Sequence, residues 1–97
     1  MKLFNLSEIK FHPEKDKNVL AENNKFKIRN IELECGEQIP ECNMENWVLF
    51  YVRKGKGKIF INKKETIMAK ESLVFTEPAM VSIKAKEAMK ILGIIVK

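Results

Sequence analysis

From Phe26 onward, apolar and polar residues alternate in short runs that are separated by turn residues every few positions. A period of two is typical of β-strands, because successive side chains point to opposite faces of a sheet. Short strands with frequent turns indicate an all-β sandwich or barrel. The pattern predicts about eight strands, at residues 19–21, 26–35, 47–53, 58–62, 66–69, 73–76, 81–85 and 89–96.

The strand that begins at Phe26 contains a slip in its apolar phase. Phe26 and Ile28 share one face, whereas Ile31 and Leu33 share the other, which predicts a β-bulge near Arg29.

Residues 1–24 are predicted to be a segment that packs on a barrel formed by residues 25–97. The apolar residues of its first part fit either a short strand or one turn of helix capped by Ser7. The pair Asn23-Asn24 tolerates positive φ and predicts a hairpin turn before the strand at Phe26. The pair Asn62-Lys63 is predicted to form another tight turn.

Two predicted strands are apolar on both faces, at residues 47–52 and 91–96. A small barrel covers only the inner face of such a strand, so the outer face must meet another layer. That layer is either a second sheet or terminal segment of this chain, or the same face of a second subunit. We favour a homodimer, because a chain of 97 residues has few residues left to cover two such strands.

The composition, with 45% hydrophobic and 32% charged residues, fits one globular domain. The longest apolar runs have six residues, far below the roughly 20 that a membrane-spanning helix needs, so no membrane segment is expected. The first ten residues, MKLFNLSEIK, lack the apolar stretch of a secretion signal, which predicts a cytoplasmic protein. In that compartment Cys35 and Cys42 are expected to be reduced, and their spacing matches no zinc or CxxC motif.

Positive charge is concentrated in the second half of the chain, where residues 49–97 carry a net +7 against −2 for residues 1–48. Its densest part, residues 53–64, contains six cations and no acidic residue. A solvated, lysine-rich hairpin is the favoured interpretation, and a surface that binds nucleic acid or another polyanion is the weaker alternative. Phe60 is the only aromatic residue in this stretch, so the aromatic platforms that single strands stack on are not expected.

The stretch GEQIPECNMENWVLFYVRKG, from Gly36 to Gly55, resembles the first motif of the cupin superfamily. That motif is Gly, five residues, His-x-His, three or four residues, Glu, six residues and Gly, and the spacing fits throughout. Residues 55–85 are similar to the region between the cupin motifs and to the second motif. The resemblance implies a small β-barrel of two packed sheets, of the double-stranded β-helix or jelly-roll type, which in this family is usually dimeric.

Cupins that carry out metal chemistry hold Fe, Mn, Ni, Cu or Zn with the two motif histidines, the glutamate and a second-motif histidine. The corresponding positions here are Cys42, Met44, Val48 and either Val81 or Ser82. Because none is a histidine or carboxylate, no metal or other cofactor is expected. The two sulfur side chains, Cys42 and Met44, would suit Cu(I) only with a further donor, and core filling is the favoured interpretation of both.

The leading hypothesis is a metal-free cupin module that binds a small apolar ligand, or serves a structural or accessory role, with no catalytic residue. The ligand-binding positions are predicted to be Cys42, Met44, Val48, Phe50, Val81 and Ser82. The alternative is a cupin metalloenzyme, a dioxygenase, isomerase or decarboxylase, that uses non-standard ligands. The only histidine, His12, is expected in a surface loop. The glutamates at 37, 41, 45 and 77 are expected near the barrel mouth or in turns, where such side chains are usually solvated.

Overall fold

The computed structural model describes residues 1–97, apart from the side chain of Lys15. Within the described residues the chain forms nine strands in two antiparallel sheets, which confirms the all-β prediction. The five-stranded sheet has the order β1-β2-β9-β4-β7, and the four-stranded sheet has the order β3-β8-β5-β6. The strands are β1 Val19–Glu22, β2 Phe26–Leu33, β3 Gln38–Met44, β4 Trp47–Lys54, β5 Lys56–Ile61, β6 Lys64–Ala69, β7 Leu73–Thr76, β8 Ala79–Ala85 and β9 Met89–Val96.

Strand β3 was not among the strands predicted from the pattern of apolar residues. It lies at the edge of its sheet and pairs with β8, and the register shifts between Ile39 and Cys42. Ile39 and Cys42 are three residues apart and would lie on opposite faces of a regular strand. The shift places both on the same face, together with Met44. An irregularity of this kind destroys the period of two, and Pro40 within it has no N–H for a sheet ladder.

The predicted bulge near Arg29 is not in β2 itself but in the partner strand β1, opposite Arg29 and Ile28. Strand β2 pairs with β9 without interruption, from Phe26 opposite Val96 to Leu33 opposite Met89. The register irregularity lies instead in β1, between Val19 and Ala21. The apolar phase slips because Phe26 and Ile28 face outward, and because Arg29 faces inward together with Ile31 and Leu33.

The predicted hairpin between β1 and β2 is present, but it closes through a side chain. The Asn23 backbone N–H donates to the carbonyl of Phe26 at 3.0 Å. The Oδ1 atom of Asn23 accepts from the backbone N–H of Lys25 at 2.8 Å and of Phe26 at 3.0 Å. Positive φ angles occur instead in the predicted turn between β5 and β6, with 48° at Asn62 and 68° at Lys63.

The residues before β1 contain two 3-10 turns, Leu6–Glu8 and Lys15–Asn18. The cap of the first turn is Asn5, not Ser7 as predicted, because the Asn5 side chain accepts hydrogen bonds from the N–H and hydroxyl of Ser7. Arg53 on β4 donates from Nη1 to the carbonyl of Leu6 at 3.1 Å. This bond fastens the N-terminal segment to the outer side of the five-stranded sheet.

The hydrophobic core lies between the two sheets. Its buried residues come from strands of both sheets and include Val48, Val52, Ile59, Met68 and Ile91. Neither 3-10 turn, nor any other helix in the described part of the chain, has the length and apolar character needed to cross a membrane.

Candidate ligand-binding cleft

The space between the sheets is filled at one side by large side chains. Five of them are at most 1% exposed, and we call the region that they fill the closed half. These residues are Val52, Ile59, Met68, Met89 and Ile91. None of the five lines the cleft between β2 and β3, so we assign the closed half to stability.

The other side of the interior opens into a cleft between β2 and β3, with a volume of about 510 Å³. This volume lies in the range of small-molecule sites, which is roughly 300–1,000 Å³. The apolar residues that line the cleft are Phe11, Ile31, Leu33, Ile39, Met44, Phe50, Val81 and Ile83.

Gly93 on β9 lies between Arg29 of β2 and Phe50 of β4 in the sheet register. A Cβ atom at this position would lie 3.0 Å from Cδ1 of Ile31 and 3.6 Å from Cε1 of Phe50. An added Cβ atom would therefore press on Ile31 and would be in ordinary van der Waals contact with Phe50. The glycine lets both side chains occupy the space over β9.

An N-terminal loop supplies the remaining wall of the cleft through Phe11 and Pro13. The loop is held by Asn18, which is buried and uses its whole amide group. Its Oδ1 atom accepts from the backbone N–H of His12 at 2.9 Å, and Nδ2 donates to the carbonyls of His12 at 2.8 Å and Glu14 at 3.5 Å. His12 is half-buried and contributes backbone groups to this arrangement, whereas its two neighbours line the cleft.

The charged residues that line the cleft are one arginine and three glutamates. Glu32 accepts a hydrogen bond from Nδ2 of Asn30 at 3.2 Å, and Glu37 accepts one from the backbone N–H of Glu34 at 2.7 Å. Glu41 is exposed on β3. Arg29 is half-buried, and among the described residues no carboxylate lies within 4.0 Å of it and no hydrogen-bond acceptor is paired with its guanidinium.

Four of the six predicted ligand-binding residues come together at the cleft: Cys42, Met44, Phe50 and Val81. Val48 is 1% exposed and belongs to the core. Ser82 points to the opposite face of β8, where it lies beside Phe60 of β5. Of the two alternatives for the second motif, Val81 is the one that faces the cleft.

Sequence reasoning missed the contribution of Arg29 to the cleft. The signal is its position two residues before Ile31 and four before Leu33, which places all three side chains on one face of a strand. The signal was obscured by Phe26 and Ile28, because these apolar residues face the outside of the sheet. Phe11 was missed because a loop has no periodicity that indicates direction.

The metal-ligand positions of metal-binding cupins do not fit a divalent cation in this chain. Val48 and Val81 have no donor atoms, and the described side chains include no group of three or more His, Cys, Asp and Glu that could hold a metal. Cys42 is exposed, so the expectation that it fills the core is wrong, and Met44 is half-buried. Cys35 is also a free, exposed thiol, with Sγ 3.1 Å from the carbonyl of Lys86.

The basic stretch 53–64 does not present its charges on one surface. Arg53 lies on β4 and donates to Leu6 and, from Nη2, to Oδ1 of the buried Asn30 at 3.2 Å. The lysines of β5 belong to the other sheet, and Lys58 forms an ion pair with Glu65 at 3.1 Å. Arg53 thus belongs to the outer side of the five-stranded sheet, and it is separated from the lysines of β5, which belong to the other sheet.

The outer face of the five-stranded sheet carries a large apolar surface, which we call the outer apolar face. It includes Leu73 and Phe75, which are 62% and 60% exposed, and Trp47, which is 44% exposed. Trp47 and Phe75 pack together with their ring centroids 4.8 Å apart. The other members are Leu49, Tyr51, Leu92, Ile94, Val96, Phe26 and Ile28.

Solved structures of other proteins share this two-sheet architecture. An RmlC-like cupin protein from Desulfovibrio desulfuricans superposes with a TM-score of 0.83 at 21% identity, over 99% of this chain and 96% of that chain. The cupin domain of Cnp3 from Schizosaccharomyces pombe superposes with a TM-score of 0.82 at 18% identity, over 97% and 72%. The chain has the cupin fold. This confirms the resemblance found in the sequence.

The cupin fold by itself does not define a reaction. Salicylate 1,2-dioxygenase from Pseudoaminobacter salicylatoxidans shares it with a TM-score of 0.71 at 16% identity, and 74% of this chain corresponds to 20% of that enzyme. No protein-family model and no curated relative matches the sequence. The function must therefore be argued from the cleft.

Proposed function

We propose that this chain binds a small, largely apolar molecule in the cleft between its sheets, without a bound metal. The observation that carries the proposal is a cleft of about 510 Å³ in which apolar lining residues outnumber polar and charged ones. Binding sites of this type combine an apolar body with a small number of polar groups that orient the ligand. We propose that the protein is located in the cytoplasm. Because it binds its ligand without a chemical reaction, we propose an accessory role for it.

The uncharged dye N-phenyl-1-naphthylamine tests the proposal, because its fluorescence rises in apolar surroundings. We expect saturable binding of one dye per chain. The variant Met44→Trp fills the cleft and should weaken binding at least about tenfold, because the indole occupies the space of the ligand.

The matched control is Asn43→Trp, which adds the same side chain to the same strand. Asn43 is exposed and neighbours Met44, so its side chain points to the other face of β3. Dye affinity should be unchanged in this variant. Equal weakening by both variants, or an absence of saturable binding, would contradict the proposal.

The metal-free part of the proposal has its own measurement. Protein purified without a metal-affinity tag, loaded with Fe, Mn, Ni, Cu or Zn and desalted, should retain less than about a tenth of an equivalent. Retention of about one equivalent that Cys42→Ser abolishes would support the metalloenzyme instead.

We further propose that the chain forms a homodimer through the outer apolar face. The supporting observation is the exposure of Leu73, Phe75 and Trp47 on the same outer face of the five-stranded sheet. A second copy offers a surface of the same composition, which is how twofold interfaces are built.

Light scattering on Phe75→Glu tests this assembly. Phe75 and Ile67 are both 60% exposed, but Ile67 lies on the other sheet. We expect Phe75→Glu to give the mass of one chain, and Ile67→Glu to keep the mass of two. A wild-type protein with the mass of one chain at micromolar concentration would refute the dimer.

A further inference from the structure

We infer that the cleft recognises a monocarboxylate, an apolar acid whose carboxylate binds to Arg29. The inference rests on the proposed function and names the class of ligand. It begins from the position of the side chain. Arg29 pairs with Gly93, shares the inner face of β2 with Ile31 and lines the cleft.

The guanidinium of Arg29 is not used by the fold. The other arginine, Arg53, donates to a carbonyl and to a side-chain amide, and it fastens the N-terminal segment. Within the part of the chain that the structure describes, Arg29 has no ion pair and no side-chain hydrogen bond. Its half-buried position reduces its access to water.

A half-buried guanidinium beside apolar walls favours an anionic partner. Removal of water weakens its hydration, and its planar donors match the two oxygens of a carboxylate. Phe11, Phe50 and Ile31 line the same cleft and suit an aromatic or branched body. One end of the ligand is therefore anionic and the remainder is apolar.

The acidic residues of the cleft limit the charge of the ligand. Glu32, Glu37 and Glu41 line it together with Arg29. Glu32 and Glu37 each have one oxygen engaged in a hydrogen bond. Because these carboxylates repel further negative charge, a single carboxylate fits better than a phosphate ester with nearly two charges.

The experiment measures displacement of N-phenyl-1-naphthylamine by three compounds with the same ring system: 2-naphthoate, its neutral amide 2-naphthamide, and 2-naphthyl phosphate. In the wild-type protein, the acid should displace the dye at about tenfold lower concentration than the amide. The phosphate should be weaker than the acid.

Two variants remove the guanidinium, Arg29→Gln and Arg29→Met, and circular dichroism verifies that each is folded. In both variants, 2-naphthoate and 2-naphthamide should displace the dye equally well, each compared at that variant's own dye affinity. The control Lys27→Gln removes a positive charge from the same face of β2 outside the cleft lining, and it should keep the preference for the acid.

Failure of the inference is distinguishable from failure of the proposed function. If the dye binds but the acid has no advantage over the amide, the carboxylate assignment is refuted and the apolar cleft stands. The same holds if the arginine variants keep the preference, or if the phosphate is the best competitor. If the dye does not bind, both proposals are refuted.

Discussion

The closed half and the cleft lie between the same two sheets, yet one is filled and the other is open. In the closed half, Ile59 and Met68 have no exposed surface. At the cleft, Ile39 and Met44 are only half-buried although they face the same interior. The two regions therefore differ in how completely similar apolar side chains are covered.

The cause of this difference is the architecture around β3. Both β3 and β6 are edge strands, but β6 pairs with β5 in register along its whole length, whereas the pairing of β3 with β8 is interrupted by an irregularity. Opposite β3, the inner face of β2 ends its apolar series at Arg29, beside Gly93. The cleft results from an incomplete core and requires no unusual residue type.

The largest expected effect is a loss of stability in the closed half. Ile59→Ala removes a side chain with no exposure and leaves a cavity, so the free energy of unfolding should fall by about 2–5 kcal/mol. Met44→Ala at the cleft should lower it by less than about 1 kcal/mol, because its side chain is already in contact with water. Urea unfolding of both variants checks the contrast, and equal losses would show that the two halves are packed alike.

A second contrast concerns two glycines with nearly equal positive φ, Gly55 at 87° and Gly36 at 84°. A Cβ atom at Gly55 would lie 2.0 Å from the carbonyl oxygen of Ala88, whereas nothing lies within 4 Å at Gly36. Gly36→Ala should therefore destabilise by about 1–2 kcal/mol from φ alone.

Gly55→Ala should destabilise by about 3 kcal/mol, because the β4–β5 turn must also move away from Ala88. Thermal unfolding of both variants gives the comparison. A smaller effect at Gly55 than at Gly36 would mean that this turn is less tightly packed than the structure indicates.

A third prediction tests occupancy of the cleft by comparing the reactivity of the two exposed thiols. Cys42 lines the cleft, and Cys35 does not. In Cys35→Ser protein, 2-naphthoate at ten times its dissociation constant should slow modification of Cys42 by a thiol reagent about tenfold. Modification of Cys35 in Cys42→Ser protein should be unaffected, and protection of both thiols would indicate a global change instead of occupancy.

The smallest effect is expected at an exposed ion pair outside both regions. Lys97 donates to Oε2 of Glu22 at 2.7 Å, and this hydrogen bond lowers the pKa of Glu22 below its ordinary value of 4.5. The pair thus stabilises the fold above the ordinary pKa, and its contribution is lost as the pH falls through the lowered pKa. Glu22→Gln should reduce the melting temperature slightly at about pH 7.

Once the pH has fallen through the lowered pKa of Glu22, the two proteins should melt together, since the carboxylate is then protonated in both the folded and the unfolded state. High salt should reduce the difference at neutral pH. A difference that increases toward acid would contradict this sign.

Most of the fold could be predicted from local patterns in the sequence. Short apolar runs bounded by turn residues predicted β7 and β9 with their observed bounds, and the Asn62-Lys63 turn followed from residues that tolerate positive φ. These features are local, because strand periodicity and turn geometry depend on a few adjacent residues. Strand β3 was missed since a register shift is set by pairing with β8, not by its own residues.

The site depended on tertiary structure to a greater extent. The motif spacing placed Cys42 and Met44 beside the interior, but it did not show that their half of the interior is open. Arg29 becomes part of the cleft only through pairing of β2 with β9, which decides which face is inner. The sequence shows which residues are hydrogen-bond donors and that the metal-ligand residues are replaced. The open volume of the cleft arises only when strands distant in the sequence pack incompletely.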